Sequence, residues 1–289
     1  MTDNTEPTAD PATTIAYQGV PGANSHIACL EAFPDMTPLP CATFEDVFAA
    51  VETDSRAALA MIPIENSLGG RVADIHHLLP ESKLYIIREH YLPVKYQLLG
   101  LESATLEGLE EVRSHTQALA QCRGQLNQLG VRTVSRADTA GSAKEVAEMA
   151  DPKIAAVAPA LAGEIYNLKA LRDRFEDRIG NTTRFVVLSR ARRDPDPQAG
   201  PCVTALIFQV RSVPAALYKA MGGFATNGVN ITKLESYITG ERFSVARFYA
   251  EIEGHPADAN VAQALEELDY FSSQVRILGA FPADDFRQH

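Results

Sequence analysis

The sequence has 289 residues and a formal net charge of -11 at pH 7, from 26 Lys and Arg against 37 Asp and Glu. This length fits two or three domains better than one. No stretch concentrates Lys or Arg into a basic stripe, which argues against nucleic acid as a partner, so an anionic ligand would need local positive potential from a few arginines and backbone N–H groups.

The N-terminal segment and the apolar runs argue against export and against membrane insertion. Residues 1–13 are rich in Thr, Asp, Glu and Pro, so we predict a disordered tail rather than a secretion signal. No apolar run approaches the roughly 20 residues that a membrane helix needs. We therefore expect a cytoplasmic protein.

The cysteines carry no recognisable metal or disulfide pattern. They lie far apart with no CxxC pair, so we expect reduced, buried side chains and neither a zinc site nor a disulfide framework. They are Cys29, Cys41, Cys122 and Cys202.

Residues 14–190 alternate short β-type runs with helical patterns, which predicts parallel sheets covered by helices, an α/β fold. The predicted strands are residues 15–17, 57–64, 112–114, 131–134, 154–158 and 184–188. The predicted helices begin at Ser25, Gly70, Gln117, Ser142 and Pro159.

One stretch of this region breaks the alternation. Residues 84–88 and 92–101 are two β-type runs without a helix between them, which predicts a crossing between two α/β lobes. Ligands of open α/β sheets bind beyond the carboxyl ends of the strands, so two lobes predict one cleft bordered by strand ends.

Charges, prolines and a glycine replace the apolar periodicity between Arg190 and Pro201, which predicts a linker at residues 191–201. Residues 202–283 then read as strand, helix, strand, strand, helix, strand, a ferredoxin-like βαββαβ domain. The strands are residues 203–211, 231–237, 244–252 and 274–281, and the helices are residues 215–227 and 257–268. Gly228 is a predicted helix cap and residues 239–241 a predicted hairpin turn.

Four segments place hydroxyls, amides and glycines at strand ends or helix starts, where an anion is favoured. They are residues 17–26, 63–70, 114–117 and 181–185. Together they predict an anion-binding cleft.

Structural roles for individual residues of these segments stay open. Ser25, Ser67 and Thr116 could be helix N-caps alone. His26 and His115 lack a partner spaced for a metal, and a lone histidine is often structural.

Arg184 is a candidate anion ligand at the opening of its strand. The alternation that buries Phe185 and Val187 points Arg184 the other way. A surface salt bridge would explain the same arginine. Glu65 could simply brace its loop.

The segments AYQGVPGANSHIA, PIENSLGG, SHTQALAQC and NTTRF resemble, in this order and spacing, the catalytic domain of prephenate dehydratases. VPAALYKAMGGFATNGVNITKLES resembles the ACT domain that follows it in that family. The resemblance covers residues 15–282. It implies a catalytic domain with two lobes like type 2 periplasmic binding proteins, substrate between the lobes, and a homodimer or homotetramer formed partly through ACT domains.

The reaction implied by the resemblance takes prephenate to phenylpyruvate, with loss of CO2 and water, on the route to phenylalanine. The ring carboxylate leaves as CO2 and its electrons expel the hydroxyl across the ring. No cofactor, metal or covalent nucleophile is needed. The enzyme must hold a dianion and assist the departing hydroxide, which is a task for hydrogen-bond donors.

The resemblance also implies roles for individual residues. Thr183 is the expected donor to the leaving hydroxyl, by transition-state hydrogen bonding or full proton transfer, and Arg184 the expected carboxylate anchor. The other expected catalytic residues are Asn66, Ser114 and Gln121. Expected substrate-binding residues are Asn24, Ser25, Ser67, Gly69, Gly70, His115, Thr182 and Phe185.

Phenylalanine is the effector that the ACT resemblance implies. Its expected site comprises Pro214, Ala215, Ala216, Leu217, Asn230, Ile231, Glu235 and Ser236. The chain departs from the family at Tyr237 and Ile238, where relatives carry Arg-Pro, and at Thr116, where many carry proline. The first departure removes a charge and a rigid turn from the expected pocket.

Three other functions stay open from the sequence. Arogenate dehydratase would differ only in the side chain of the substrate. A solute-binding protein could share the two-lobed fold, although the missing export signal argues against it. An amino-acid sensor without catalysis would leave the segments at residues 63–70 and 181–185 unexplained.

Overall fold

The computed structural model describes residues 10–72, 75–211, 213–239 and 245–288. The chain divides into two compact units. Unit 1 comprises Met1–Ile75 and His90–Phe185, and unit 2 comprises His76–Glu89 and Val186–His289.

The described residues before the C-terminal strands form two sheets with their helices. The first elements are β1 (Thr14–Gln18), α1 (Asn24–Ala32), β2 (Thr37–Cys41), α2 (Phe44–Glu52), β3 (Leu59–Asn66), β4 (Gly70–Arg71), α3 (Ile75–Glu81) and β5 (Tyr85–Pro93). Next come β6 (Gln97–Gly100), β7 (Glu111–His115), α4 (Thr116–Gln121), α5 (Arg123–Leu129), β8 (Arg132–Arg136), α6 (Thr139–Met149), β9 (Ile154–Ala158), α7 (Ala160–Tyr166), β10 (Lys169–Arg172) and β11 (Thr182–Ser189).

The first sheet has the strand order β2-β1-β3-β11-β5, with β4 attached to β3. Strand β1 runs parallel to both β2 and β3, whereas β4 is antiparallel to β3. The carboxyl ends of β1 and β3 therefore lie at the same edge of the sheet. Strand β11 begins at this edge with Thr182, beside the end of β3.

The second sheet has the order β10-β6-β9-β7-β8, with β7 parallel to β8 and β9. Leu98 and Val157 point to one face, into a core shared with α4 and α5. Their neighbours Leu99 and Ala156 point to the other face, into a core with α6 and α7. Because β9 is buried on both faces, its sequence is the uninterrupted apolar run IAAVA. The predicted α/β architecture is confirmed, but this sheet is mixed rather than parallel, since β6 is antiparallel to both β9 and β10.

Two elements of the first sheet have no counterpart in the prediction. Strand β2 contains Pro38 and Pro40, which argue against a strand, but β2 lies at the edge of the sheet, where proline is tolerated. Helix α2 begins with a capping box in which Thr43 and Asp46 bind each other's backbone N–H. That capping box was the sequence signal for α2.

Several predicted boundaries were wrong. The helix expected from Gly70 begins at Ile75, because Gly70 has φ +73 and enters the short strand β4. The run at residues 92–101 is split, since β5 ends at Pro93 and β6 begins at Gln97. Residues 11–13 of the predicted tail form a 3-10 turn capped by Asp10.

The C-terminal part of unit 2 has the predicted βαββαβ order. Its elements are β12 (Cys202–Val210), α8 (Ala216–Thr226), β13 (Ile231–Thr239), β14 (Val245–Glu253), α9 (Ala259–Phe271) and β15 (Ser272–Pro282). The sheet order is β13-β14-β12-β15, and each neighbouring pair of strands is antiparallel. Phe208, Phe224 and Phe248 join both helices to one face of this sheet. The predicted turn at residues 239–241 lies partly outside the described residues.

A cluster of charges is buried within unit 2. Arg287 donates to both carboxylate oxygens of Glu89 and to Glu251, and Tyr249 donates to Glu251 at 2.5 Å. The Glu89 and Glu251 side chains are 0% and 1% exposed. We call Glu89, Tyr249, Glu251 and Arg287 the carboxylate cluster.

All four cysteines are free and buried, as predicted. In the part of the chain that the structure describes, no helix is long and apolar enough to cross a membrane. The domain boundaries at residues 13, 190, 201 and 283 stay predictions.

Candidate active site

A cavity of about 520 Å³ in unit 1 is bordered by residues from both sheets. Eight of the predicted site residues line it: Asn24, Ser25, Asn66, Gly70, His115, Gln121, Thr183 and Phe185. They come from the end of β3, the first turn of α1, the β7–α4 junction and the start of β11. The four segments that the sequence singled out thus meet at one cavity.

The loop after β1 packs against helix α7. Gly22 has φ +92, and a Cβ there would lie 2.7 Å from Ala162 Cα of α7. The Tyr166 hydroxyl donates to Pro21 O at 2.9 Å. Glycine at position 22 is therefore required by both the backbone conformation and the close approach of α7.

Ser67 and Thr182 brace the cavity rather than line it. Ser67 N donates to Thr182 O at 2.9 Å, and Thr182 N donates to Ser67 Oγ at 2.9 Å. Gly69 leaves room for its neighbours, since a Cβ there would lie 3.1 Å from Gln117 Nε2. These contacts join the loop after β3 to the start of β11.

Ser114 was expected in the cleft but is fully buried. Its hydroxyl donates to Val157 O at 2.6 Å, which ties β7 to the neighbouring strand β9. The geometry gives this hydroxyl a structural bond and no face toward the cavity, which corrects the expected placement.

Arg184 does not face the cavity either, because the expected alternation with Phe185 holds but the cavity borders the Phe185 face of β11. Thr183 and Phe185 line the cavity, so Arg184 between them points to the opposite face of β11. It is 5% exposed, and its guanidinium lies 5.9 Å from the centre of the Tyr91 ring. Phe185 is buried and also lines the cavity.

A chain of neutral amides runs behind the cavity. Asn66 Nδ2 donates to Thr183 Oγ1 at 2.9 Å and to Asn181 Oδ1 at 2.7 Å. Asn181 Nδ2 donates to Gln121 Oε1 at 2.8 Å. We call Asn66, Asn181, Gln121 and Thr183 the amide network.

Backbone groups fix the orientation of the Asn66 amide. Asn66 Oδ1 accepts from Gly69 N at 2.7 Å and from Leu68 N at 3.1 Å. An oxygen that accepts from two N–H groups leaves the NH₂ end to face Thr183. Since an amide NH₂ can only donate, Thr183 Oγ1 accepts from Asn66, and its own proton is available to a ligand in the cavity.

Two features favour an anion in the cavity, the N-terminus of helix α1 and an arginine. Helix α1 spans nine residues, its N-cap Ala23 makes no side-chain bond, and Asn24 and Ser25 of its first turn line the cavity. Arg71 of β4 also lines it. The sequence analysis missed Arg71, although its position after two glycines of the PIENSLGG segment was the available signal.

The two candidate histidines differ in their surroundings. His115 lines the cavity and is the N-cap of α4, with Nδ1 accepting from Gln117 N at 3.3 Å. This bond leaves Nε2 as the N–H donor of the neutral ring. His26 stacks on Tyr17 and accepts from Gly22 N, and burial lowers its pKa. His26 is therefore structural.

Tyr96 is another cavity residue that the sequence analysis missed. Burial raises its pKa above the ordinary value of 10, and its side chain is hydrogen-bonded to Asn24. The phenol thus remains protonated at neutral pH. Among the described residues, no three His, Cys, Asp or Glu side chains gather as for a metal; that the reaction needs no metal or cofactor stays a prediction.

The predicted effector residues lie in unit 2. Ala215 has φ +58 and precedes α8, which begins at Ala216. Glu235 on β13 pairs with Lys233 at 2.9 Å, while Ser236 is exposed. Tyr237, one of the departures from the family, lies opposite Arg247 of β14 with its hydroxyl buried.

A family model described as prephenate dehydratase matches residues 15–193. A Komagataeibacter europaeus protein named bifunctional N-acyl-homoserine lactone acylase/prephenate dehydratase is 48% identical, over 95% of this chain and 97% of that protein. Arogenate dehydratase/prephenate dehydratase 1, chloroplastic, of Arabidopsis thaliana is 36% identical, over 95% and 73%. The solved structure of an Arthrobacter aurescens prephenate dehydratase in complex with L-Phe has a TM-score of 0.86 and 28% identity, covering 94% of this chain and 90% of that one.

Proposed function

This chain belongs to the prephenate dehydratase family and is a carbon–oxygen lyase, and we propose that its cavity converts prephenate to phenylpyruvate with Thr183 as the donor to the departing hydroxyl. The observation that carries this role is the bond from Asn66 Nδ2 to Thr183 Oγ1. It occupies the oxygen of Thr183 and leaves the hydroxyl proton for the substrate.

The reaction needs help mainly at one atom. The C–C bond to the ring carboxylate breaks, its electron pair aromatises the ring, and the C–O bond across the ring breaks as hydroxide departs. The hydroxide takes up one proton, so prephenate and a proton give phenylpyruvate, CO2 and water. A hydroxyl held toward the leaving oxygen stabilises the charge that develops there in the transition state.

Binding of the dianion is the second task of the cavity. We assign one carboxylate to Arg71 and the first turn of α1, and further hydrogen bonds to Gln121 Nε2 and His115 Nε2, because these groups line the cavity. The sequence-based role of Arg184 as anchor is thereby given to Arg71. Arg184, buried beside Tyr91, instead supports strand β11.

The test of the proposed function is turnover of the purified full-length chain with prephenate, followed as phenylpyruvate appears. A saturable rate that requires Thr183 supports it. Binding of prephenate without phenylpyruvate would leave a solute-binding or sensing protein instead. Arogenate, assayed beside it, measures the preference between the two substrates, since relatives carry both names.

The name of the Komagataeibacter relative also contains an acylase activity. Hydrolysis of an acyl amide requires a base for water or for a hydroxyl nucleophile. In this cavity His115 Nδ1 already accepts from Gln117 N, which favours the donor role over the base role. An N-acyl-homoserine lactone incubated with wild type and with Thr183→Val tests whether such an activity exists here and uses the same site.

We further propose that residues 202–283 form an ACT domain that binds phenylalanine. Support comes from the βαββαβ order, from the sequence resemblance and from the relative solved with L-Phe. The expected site includes the start of α8, where Ala215 makes no side-chain cap, so backbone N–H groups can meet a carboxylate. Calorimetric titration with L-phenylalanine, with D-phenylalanine as control, tests it; no heat at millimolar concentration would remove this role.

Assembly through this domain is part of the same proposal. Strand β13 is an edge strand, and Leu234 on it is 37% exposed. Pairing of such edges between copies would give the homodimer or homotetramer expected from the family. Light scattering of the full chain measures the mass. The boundaries at residues 14–190, 191–201 and 202–283, the likeness of the lobes to periplasmic binding proteins and the cytoplasmic location remain part of this proposal.

A further inference from the structure

Asn181 is buried between the loop after β3 and helix α4. It is 4% exposed and is not among the residues that line the cavity. Its side chain nevertheless contacts two residues that do, Asn66 on one side and Gln121 on the other. Its main-chain carbonyl accepts from Val94 N at 2.8 Å, which fixes the backbone. Asn181 thus joins the two sides of the cavity without lining it.

The hydrogen bonds of the amide network have a single possible direction. The backbone N–H groups of Leu68 and Gly69 hold Asn66 Oδ1, so Asn66 Nδ2 donates to Asn181 Oδ1. Asn181 must then present its NH₂ to Gln121 Oε1. With Oε1 engaged, the Nε2 end of Gln121 is the end left to face a ligand.

We infer that Asn181 is a positioning residue that sets which end of the Gln121 amide meets the substrate. This inference deepens the proposed function of the same cavity and rests on it. A donor at Gln121 suits a carboxylate, whereas a reversed amide would present a carbonyl oxygen to the dianion. The orientation of a side chain in the second lobe is therefore determined by two backbone N–H groups of the first.

The network has two branches that depend on Asn181 to different degrees. Thr183 accepts a hydrogen bond directly from Asn66, and Asn66 keeps its orientation through the backbone N–H groups of Leu68 and Gly69 alone. Gln121 is oriented through Asn181. Loss of the Asn181 amide should therefore act on substrate binding and spare the chemical step.

The first test is a double-mutant cycle with prephenate on the full-length protein. Asn181→Leu, similar in size but without polar atoms, should raise KM about tenfold, the effect of one misoriented buried hydrogen-bonding group, and leave kcat within about threefold. Gln121→Leu should raise KM similarly, and the double variant should add nothing further. An unchanged KM in Asn181→Leu, or a KM in the double variant equal to the product of the two effects, would overturn the inference.

The second test uses Asn181→Asp, which keeps the shape of the side chain. An ionised carboxylate accepts from both neighbours and cannot donate to Gln121, so Gln121 turns its NH₂ toward it. Protonation restores a donor, so the KM of this variant should fall toward the wild-type value as the pH is lowered from about 7 toward about 4, where an aspartic acid takes up its proton. A KM that parallels the wild type across this range contradicts the inference.

Different results would refute the proposed function and the role of Asn181. Absence of turnover in the wild type would refute the proposed function. Turnover in the wild type together with an unaltered KM in Asn181→Leu and Asn181→Asp would refute the role of Asn181 alone. Thermal unfolding midpoints of both variants identify loss of structure, which lowers the active fraction and hence kcat without producing the pH-dependent KM.

Discussion

The amide network of unit 1 and the carboxylate cluster of unit 2 are both buried and polar, but they differ in charge and in what they leave available. In the amide network, the hydrogen bonds between the members join neutral groups, and three members line a cavity. In the carboxylate cluster, two carboxylates more than nine-tenths buried share one arginine.

Because of this difference, we expect the buried polar groups of the amide network to support activity and those of the carboxylate cluster to support stability. Neutral amides cost little to bury when paired and transmit a hydrogen-bond direction to the cavity. Buried charges must instead be compensated by each other. Removing one partner leaves the other charge buried and uncompensated, at a large desolvation cost. Changes in the cluster should therefore act on stability, and changes in the network should act on substrate binding or on rate.

The largest effect is expected from a substitution that removes the arginine of the carboxylate cluster. Arg287→Ala leaves Glu89 and Glu251 without their shared cation and should lower the free energy of unfolding by about 3 to 5 kcal/mol. Urea unfolding of the full chain measures this loss. Adding Glu89→Gln and Glu251→Gln to the same variant should recover part of it, and failure of the three changes to compensate would contradict the charge argument.

The next effect tests the direction of the amide network. Asn66→Asp replaces the donor beside Thr183 by an acceptor, so the Thr183 hydroxyl would donate to the new carboxylate instead of the substrate. We expect kcat to fall roughly a hundredfold. Steady-state kinetics with prephenate measure it, with the exposed Asn127→Asp as a control for added charge. Equal activities in the two variants would show that Asn66 does not orient Thr183.

A smaller effect follows from steric displacement of the same network. In Gly69→Ala the new methyl group would lie 3.1 Å from Gln117 Nε2 and 3.3 Å from Asn66 Oδ1, so the amides must shift by a few tenths of an ångström. We expect about tenfold lower kcat/KM. Gly222→Ala, whose methyl group would meet no atom within 4 Å, is the matched control and should keep full activity.

The smallest expected effect concerns a partly exposed ion pair beside the second sheet. Burial would raise the pKa of Glu145, but hydrogen bonds from Arg136 and Arg113 outweigh it and lower the pKa below 4.5. Because the folded-state pKa is depressed, the stabilisation is present above the unfolded value and is lost as pH falls through the folded value. Water screens the exposed pair, so Glu145→Gln should lower the thermal midpoint only slightly at pH 7, and this difference should shrink as the pH falls below 4.5.

The sequence predicted most strands and the position of the cleft, because apolar periodicity is a local property. Burial of β9 on both faces, for example, follows directly from its run of five apolar residues. Strand β2 was not predicted because its prolines are tolerated only at the edge of a sheet. Which strand lies at the edge depends on the whole sheet and not on the local sequence.

The sequence predicted which segments border the candidate site better than it predicted which side chains of those segments face the cavity. The sequence brought Asn66, Gln121 and Thr183 together only through family resemblance, and Asn181 received no role of its own. Its role depends on bonds across more than 50 residues of chain, which no local pattern encodes. Arg184 shows the same limit, since strand alternation gives two faces but does not say which one borders the cavity.

The measurement that tests the central claim most directly compares Thr183→Val with Thr183→Ser for prephenate. Valine keeps the shape without the hydroxyl, so kcat should fall roughly a hundredfold to a thousandfold while KM stays within a few fold. Serine keeps the hydroxyl beside Asn66 and should retain kcat within about tenfold. A Thr183→Val enzyme with near wild-type kcat, or one altered in KM alone, would contradict a donor role for Thr183.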